Sequence, residues 1–477
     1  MALTAFISNQ VQKKRITSYY LCLGLFLVAI VLGLLLDQWY ISLFPIVIVL
    51  SYLAISNPKF SFFLFFGILP FSIEIYFPNG LGTDLPTEPI ILFFFLYSIF
   101  FFIRKKYSSY QLDIVTLFIL IHLIWIMFTT IWADDPMVSA KFLAAKLWYI
   151  LPFYFLSTHF LKEKKDLSYL VRVFLSGLAI SIIYVMARHF TRDFSFDTIG
   201  WAVSPFYRNH VNYAVLLVIA LPLCWYKVKI SSNKKWYFLF FIILLSAIYF
   251  SFTRAAMVAV FVMAVAALLI RYKILFYVSL LSLIIALSGL FYMVHDNNYL
   301  HLAPNYESTV AHSRFDHLME ATYKMEDIST MERLHRWVAG LKMINEKPWT
   351  GFGPNNFYFT YKPFTSNSFK TYVSDNPDKS GIHNYYLMTA VEQGVIGLLI
   401  LLSLLLSAIY KGERTYHRVH DSKNTVMMSL LILIGIMVMI LINDLIEAVK
   451  VGPFLFLSLA LISFHSKKSK EILYKGE

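Results

Sequence analysis

His383, in His383-Asn384-Tyr385-Tyr386, stands where a long polar stretch meets an apolar run. An unperturbed imidazole titrates at about 6.5, so it can accept a proton at neutral pH, and His383 is a candidate general base. Basic residues occupy similar boundaries elsewhere: Arg208 and His210 before one apolar run, Arg254 in the turn Ser251-Phe252-Thr253-Arg254 between two others, and Arg333 with Arg336 inside the polar stretch. Converging guanidiniums would match the oxygens of a diphosphate with paired N–H donors. An arginine at a span end also simply reaches for the interface. Arg254 fits that account least, having no acidic neighbour in sequence. Glu392 lies within the apolar run after His383, where a carboxylate is costly unless it faces a polar interior. It would either orient a base or bond a polar group of a neighbouring helix.

A metal is not expected. His295, His301, His312, His317, His335 and His383 show no His-Glu-x-x-His spacing, and the polar stretch has no cysteine. Asp134-Asp135 reads as an exposed acidic loop in preference to a cation bridge. Cys22 and Cys224 both fall inside apolar runs, so no disulfide framework is expected.

The elements that must position these groups cross a membrane. The chain is 58% hydrophobic, 18% aromatic and 14% charged, and its apolar runs approach the roughly 20 residues that a helix needs to span a bilayer. Continuous apolar runs, without the alternation of barrel strands, predict an all-α polytopic membrane protein of about 12–14 transmembrane helices with one large outer insertion. Expected spans include residues 18–36, 41–56, 61–78, 89–103, 114–132 and 142–160, then others to 273–294, and 384–410, 425–443 and 450–465 after the insertion. The first follows Lys13-Lys14-Arg15 and reads as a retained anchor. The expected organisation is one integral domain: a bundle over 1–294, an outer subdomain over 295–383, and helices with a cytoplasmic tail over 384–477.

Charge orients the chain. With the N-terminus inside, alternate loops hold Arg104-Lys105-Lys106, Lys162 to Lys165, Lys227 to Lys235 and Lys411 to Lys423, whereas the opposite loops hold Asp37, Asp84, Asp134-Asp135 and Asp444. This matches the positive-inside rule, puts both termini in the cytoplasm and places the insertion outside. The net charge of +13 follows from the same bias and implies basic loops on anionic lipid, with no nucleic acid as partner.

Within the insertion, Ser329 and Glu332 have the form of a capping box, and Met331, Leu334, Val338, Leu341 and Ile344 recur at helical spacing. An amphipathic helix over 330–346 is expected, packed against the bundle. Gly351-Phe352-Gly353-Pro354 follows as a turn; it trails a helix and not a strand, so it is not a nucleotide fingerprint.

Several motifs in order resemble the O-antigen ligase and O-antigen polymerase superfamily of bacterial envelope enzymes. These are Ile131-Trp132-Ala133-Asp134-Asp135-Pro136; Ser251-Phe252-Thr253-Arg254; Arg333 four residues before Trp337, followed by Pro348 and Gly351-Phe352-Gly353; and His383-Asn384 with Glu392-Gln393-Gly394. The resemblance implies a glycan donor on undecaprenyl pyrophosphate, a glycolipid (lipid A-core) or glycan acceptor, membrane lipids as surroundings, and no cofactor. It makes His383 the base and Arg254 and Arg333 pyrophosphate ligands, with Arg208 mapping more loosely. Asn384, Glu392, His210, Arg336, Gly351 and Gly353 would support them. Transfer would occur at the periplasmic face of the inner membrane; the motifs do not separate a ligase from a polymerase of the same superfamily, and the single long outer loop near the C-terminal third favours the ligase. A flippase for lipid-linked sugar is the reading from another class, against which the sequence shows no paired interrupted helices.

Overall fold

The computed structural model describes residues 55–76, 82–104, 112–302, 328–369, 374 and 380–475, together with residues 24, 26–29, 31, 32 and 35. The expected spans 18–36 and 41–56 fall largely outside these, as do Cys22, His312 and His317. The chain divides into two compact units, residues 1–65 and 66–477. The described residues of the first unit are helical pieces, and helix α1 (Pro58–Ile68) begins there.

The described residues of the second unit are mostly helical, with one small sheet. Strands β1 (Ile73–Tyr76) and β2 (Gly82–Leu85) pair antiparallel, Ile73 opposite Leu85 and Tyr76 opposite Gly82. This corrects the expected span over 61–78: the helix ends at Ile68 and the chain turns into a hairpin. The physical cause is local. Pro70 cannot continue the hydrogen-bond ladder, and the polar residues after it bond within the hairpin and its flank: Ser72 Oγ donates to Asp84 Oδ1 at 3.4 Å and bonds Thr87 Oγ1 at 2.5 Å, and Tyr76 Oη donates to Glu74 Oε1 at 2.5 Å.

The helices that follow are α2 (Thr87–Ile103), α3 (Ile114–Ile131), α4 (Pro136–Ile150), α5 (Lys164–Phe190), α6 (Ile199–Val203), α7 (His210–Ile230), α8 (Lys234–Phe250), α9 (Arg254–Arg271), α10 (Leu275–Val294), α11 (Ile328–Glu346), α12 (Tyr385–Arg418), α13 (Lys423–Met439) and α14 (Gly452–Lys475). A π-helical turn, Leu151–Leu156, prolongs α4 at Pro152, which withholds an N–H from the regular ladder. Among the described residues, six helices are long and apolar enough to cross a membrane, and three shorter apolar helices accompany them. The fold is therefore that of an all-α polytopic membrane protein.

Burial grades across the bundle. Helix α7 has 78% of its most apolar window inside the protein, and the window of α10 has 6%. Aromatic rings fill the centre: Phe66 meets Phe153 and Phe454 edge-on at 6.0 and 5.3 Å.

Helix α11 forms where the amphipathic helix was expected; of its stripe Met331 and Val338 are buried, while Leu334, Leu341 and Ile344 are partly so. Ala339 and Met343 join Phe352, Phe357, Tyr361, Ile382 and Val391 in one buried cluster. The capping box is not where it was expected. The helix already includes Ile328 and Ser329, so Ser329 is a helical residue, and the Glu332 carboxylate accepts from Ser374 Oγ at 2.5 Å and faces Arg336 at 3.8 Å.

Candidate active site

Arg333 is the hub of the basic residues. Its charge bears on both His210 and His383, while Arg254 acts on His210 from the start of α9 and Arg336 acts on His383 from α11. Elements far apart in sequence thus bring two imidazoles and three guanidiniums into one electrostatic neighbourhood. Thr253, the cap residue before α9, donates through Oγ1 to the His210 carbonyl at 3.5 Å and ties the Arg254 turn to α7. Asn209 caps α7 by accepting from Asn212 N at 3.0 Å, which sets His210 at the helix's first position. Arg208 points elsewhere: it is exposed, and its Nη1 lies 3.9 Å from Glu74 on β1.

His383 is held by its backbone. Arg336 Nη1 donates to the Gly381 carbonyl at 2.9 Å, and Trp337 Nε1 donates to the Ile382 carbonyl at 3.0 Å. The His383 N–H donates to Asp444 Oδ2 at 2.8 Å, and the Tyr385 N–H to the Ile440 carbonyl at 2.9 Å. These ties hold His383 at a φ of 57°, a left-handed conformation that costs a non-glycine residue about 1–2 kcal/mol and persists only where the surroundings enforce it. Asn384 is the N-cap of α12, its side chain accepting from Leu387 N at 2.9 Å.

Burial, then the charges of Arg336 and Arg333, push the His383 imidazole down to about 3. At neutral pH it is uncharged and keeps a free lone pair, and no hydrogen bond engages the ring among the described residues. Burial pushes the Asp444 carboxyl up to about 6, against the opposing effect of the His383 and Asn384 amides. Arg336 itself is nearly buried, and the desolvation lowers its pKa against the pull of Glu332.

Of the two parts expected of Glu392, the structure shows a bond to polar groups of a neighbouring segment, the short helix Phe357–Thr360 and the residue Asn355 before it. Glu392 Oε2 accepts from Asn355 N at 2.7 Å and its Oε1 from Phe357 N at 3.2 Å, so the carboxylate caps the loop after the glycine turn. The same loop crosses α12 at a kink. Phe352 N and Gly353 N donate to the carbonyls of Val391 and Glu392 at 3.0 and 2.9 Å, and Val395 N donates to Pro348 O at 2.8 Å. Gly394 sits at φ 71°, and a Cβ there would lie 2.0 Å from the Trp349 carbonyl oxygen. Gly353, at φ 100°, leaves room for Ala133, whose Cβ would be 2.2 Å away from an added one. Gly351 shares this close approach against the α12 backbone. Gly351 and Gly353 are therefore packing residues of the loop.

Asp134 and Asp135 anchor that loop from the other side. Asp134 N donates to the Phe352 carbonyl at 3.0 Å, Asp135 N to Asn356 Oδ1 at 2.9 Å, and Lys347 Nζ reaches Asp134 Oδ1 at 2.5 Å. The Asp135 side chain caps α4. Among the described residues, no group of histidine, cysteine and acidic side chains is arranged to hold a metal ion.

Sequence reasoning missed a buried cluster beside His383. Lys146 of α4 donates to the Tyr385 hydroxyl at 2.7 Å and pairs with Glu447, and Tyr385 donates to Glu447 Oε1 at 2.6 Å. Together with Asp444 this fastens the start of α12 to the segment before α14. The available signal was Lys146 itself, a lysine inside an expected span.

Fold and site together define a multi-pass helical membrane protein with a polar, cationic site at one end of its bundle. Residues 239–402, which include Arg254, Arg333, His383 and Glu392, match the family model for O-antigen ligase. Through this region the chain is similar to the O-antigen ligase family, which supports a membrane glycosyltransferase of the O-antigen ligase and polymerase type. No curated protein matches the chain.

Proposed function

We propose that this protein transfers a glycan from undecaprenyl pyrophosphate to an acceptor hydroxyl, as an O-antigen ligase acting on lipid A-core at the periplasmic face of the bacterial inner membrane. The observation that carries this reading is that the charges of Arg254 and Arg333 both act on His210, and that of Arg333 on His383 as well. In this reading residues 1–294 form the bundle wall, residues 295–383 the periplasmic insertion that brings Arg333 to the donor, and residues 384–477 the closing helices, with both termini cytoplasmic. Charge supports the orientation: with the N-terminus inside, the basic loops would alternate to the side opposite the insertion.

The acceptor oxygen attacks the anomeric carbon as its proton passes to His383; the bond to the pyrophosphate oxygen breaks, and Arg254 and Arg333 take up the charge on the leaving group. Two fixed guanidiniums can supply that stabilisation without a metal. In-line displacement inverts the anomeric centre. Burial, and after it the charges of Arg336 and Arg333, hold His383 far below its ordinary range, and this also fits the scheme: an anionic pyrophosphate would offset the arginine charges and make the imidazole a better base once the donor is bound. Arg208, paired with Glu74, is proposed only as a residue of the entrance.

Purified protein given synthetic undecaprenyl-pyrophosphate glycan and acceptor should transfer sugar with inversion, and Arg254→Ala or Arg333→Ala should raise donor KM. Product of retained configuration would exclude the mechanism. In a deletion strain, lipid-linked polymer with bare core fits the ligase, whereas core carrying a single repeat would assign the chain to the polymerases instead.

A further inference from the structure

A second basic group at the same end of the bundle has no part in the site above. Arg188, in the last turn of α5, places its guanidinium 4.0 Å from the centre of the Trp201 ring, and Arg192, just past that helix, lies 5.3 Å from the same ring. Arg188 is further held by Nη1, which donates to the Tyr184 hydroxyl at 2.6 Å and to the Ser204 carbonyl. Both bonds use one nitrogen, so Nη2 and Nε keep their donors. Neither arginine is paired with a carboxylate among the described residues. A helix C-terminus favours a nearby cation, which accounts for Arg188 but not for two guanidiniums gathered on one indole, where they repel each other.

An anion with several oxygens would answer both charges and fit their N–H forks. The surroundings say where it comes from. Trp201 is exposed, and α5 also exposes Ile180, Ile183 and Phe190, the mixture of indole and apolar surface that suits a membrane-anchored molecule. Ser204 stands six residues before His210, so the chain allows at most about 21 Å between them. A lipid phosphate held here would keep its sugar within reach of the transfer site, which favours the acceptor over bulk lipid.

We propose that Arg188, Arg192 and Trp201 form a second phosphate site, which docks the headgroup phosphate of the membrane-anchored acceptor beside the donor site. This rests on the transfer reading above. The test is a cycle between the arginines and the acceptor phosphate. With a phosphorylated glycolipid acceptor, Arg188→Gln/Arg192→Gln should raise acceptor KM by about ten-fold or more, the size expected for losing charge-assisted hydrogen bonds, while donor KM changes little. With the same acceptor dephosphorylated, wild type should already show the high KM and the double variant should add nothing. Trp201→Phe, which keeps an aromatic face, should lose less than Trp201→Ala. An equal penalty with both acceptors would make the cluster merely structural and overturn the proposal, as would a KM effect abolished by excess phosphatidylglycerol, which would mark a bulk-lipid site. Retention of the phosphorylated acceptor in detergent, read by native mass spectrometry without donor, separates the two readings. Loss of retention in the double variant upholds docking even where no transfer occurs, and unchanged retention defeats it even where transfer proceeds.

Discussion

His383 and Glu392 sit nine residues apart on one stretch of chain, the first partly buried just before α12 and the second buried within it, yet they are held in opposite ways. The structure grips His383 through the amides and carbonyls on either side and leaves its ring without a described hydrogen bond. Glu392 spends both carboxylate oxygens on the amides of Asn355 and Phe357. A group meant to exchange protons needs its side chain unspent and its position imposed from elsewhere. A group that joins two segments uses the side chain itself.

The strongest way to break this contrast is at His383. His383→Asn tolerates the left-handed backbone and removes the base, so transfer should fall by about 10²–10⁴-fold while the melting temperature in detergent stays close to wild type. Unchanged transfer would remove His383 from its role. Glu392→Ala should show the reverse emphasis: the amides of Asn355 and Phe357 lose their acceptor, at about 1–3 kcal/mol for the buried one of Phe357, and the melting temperature should fall clearly. A Glu392→Ala protein that melts like wild type but cannot transfer would erase the distinction.

Arg336→Lys tests whether His383 is positioned through its backbone. The charge stays and the bond to the Gly381 carbonyl is weakened, so kcat should drop by about ten-fold with donor KM less affected, the opposite of an arginine that binds pyrophosphate. Acid should then act on stability in a definite direction. With the folded His383 pKa at about 3 and the ordinary value 6.5, the unfolded chain binds the proton more readily, so stability falls as pH drops from 6.5 towards 3 and is unaffected above. His383→Gln should lose less over that window in parallel acid melts. Smallest of all, Ser329→Ala should shift stability by less than about 0.5 kcal/mol, because Ser329 lies inside α11 and not at its cap.

Much of this was legible in one dimension. Apolar runs announce helices because a bilayer forces each backbone to bond within its own segment, and the stripe from Met331 to Ile344 announces α11 by its period. The hairpin after Pro70 was hidden, since its residues are apolar enough to extend a span. The partners of Glu392 were hidden too: a carboxylate in an apolar helix demands polar partners, but these are backbone amides some 35 residues earlier, and amides leave no mark in a sequence. Lys146, Tyr385 and Glu447 likewise come from three separate segments.

By itself, then, the sequence determined the class of protein, the helical elements and the side chains able to do chemistry, because periodicity, charge bias and residue type are local properties. Tertiary structure alone decided which of those side chains share a field. It gathered Arg254, Arg333 and Arg336 about His210 and His383, and it left Arg208 with Glu74. The reason is physical: electrostatic coupling and desolvation depend on distance and burial in space, and those are set by how α7, α9, α11 and α12 pack.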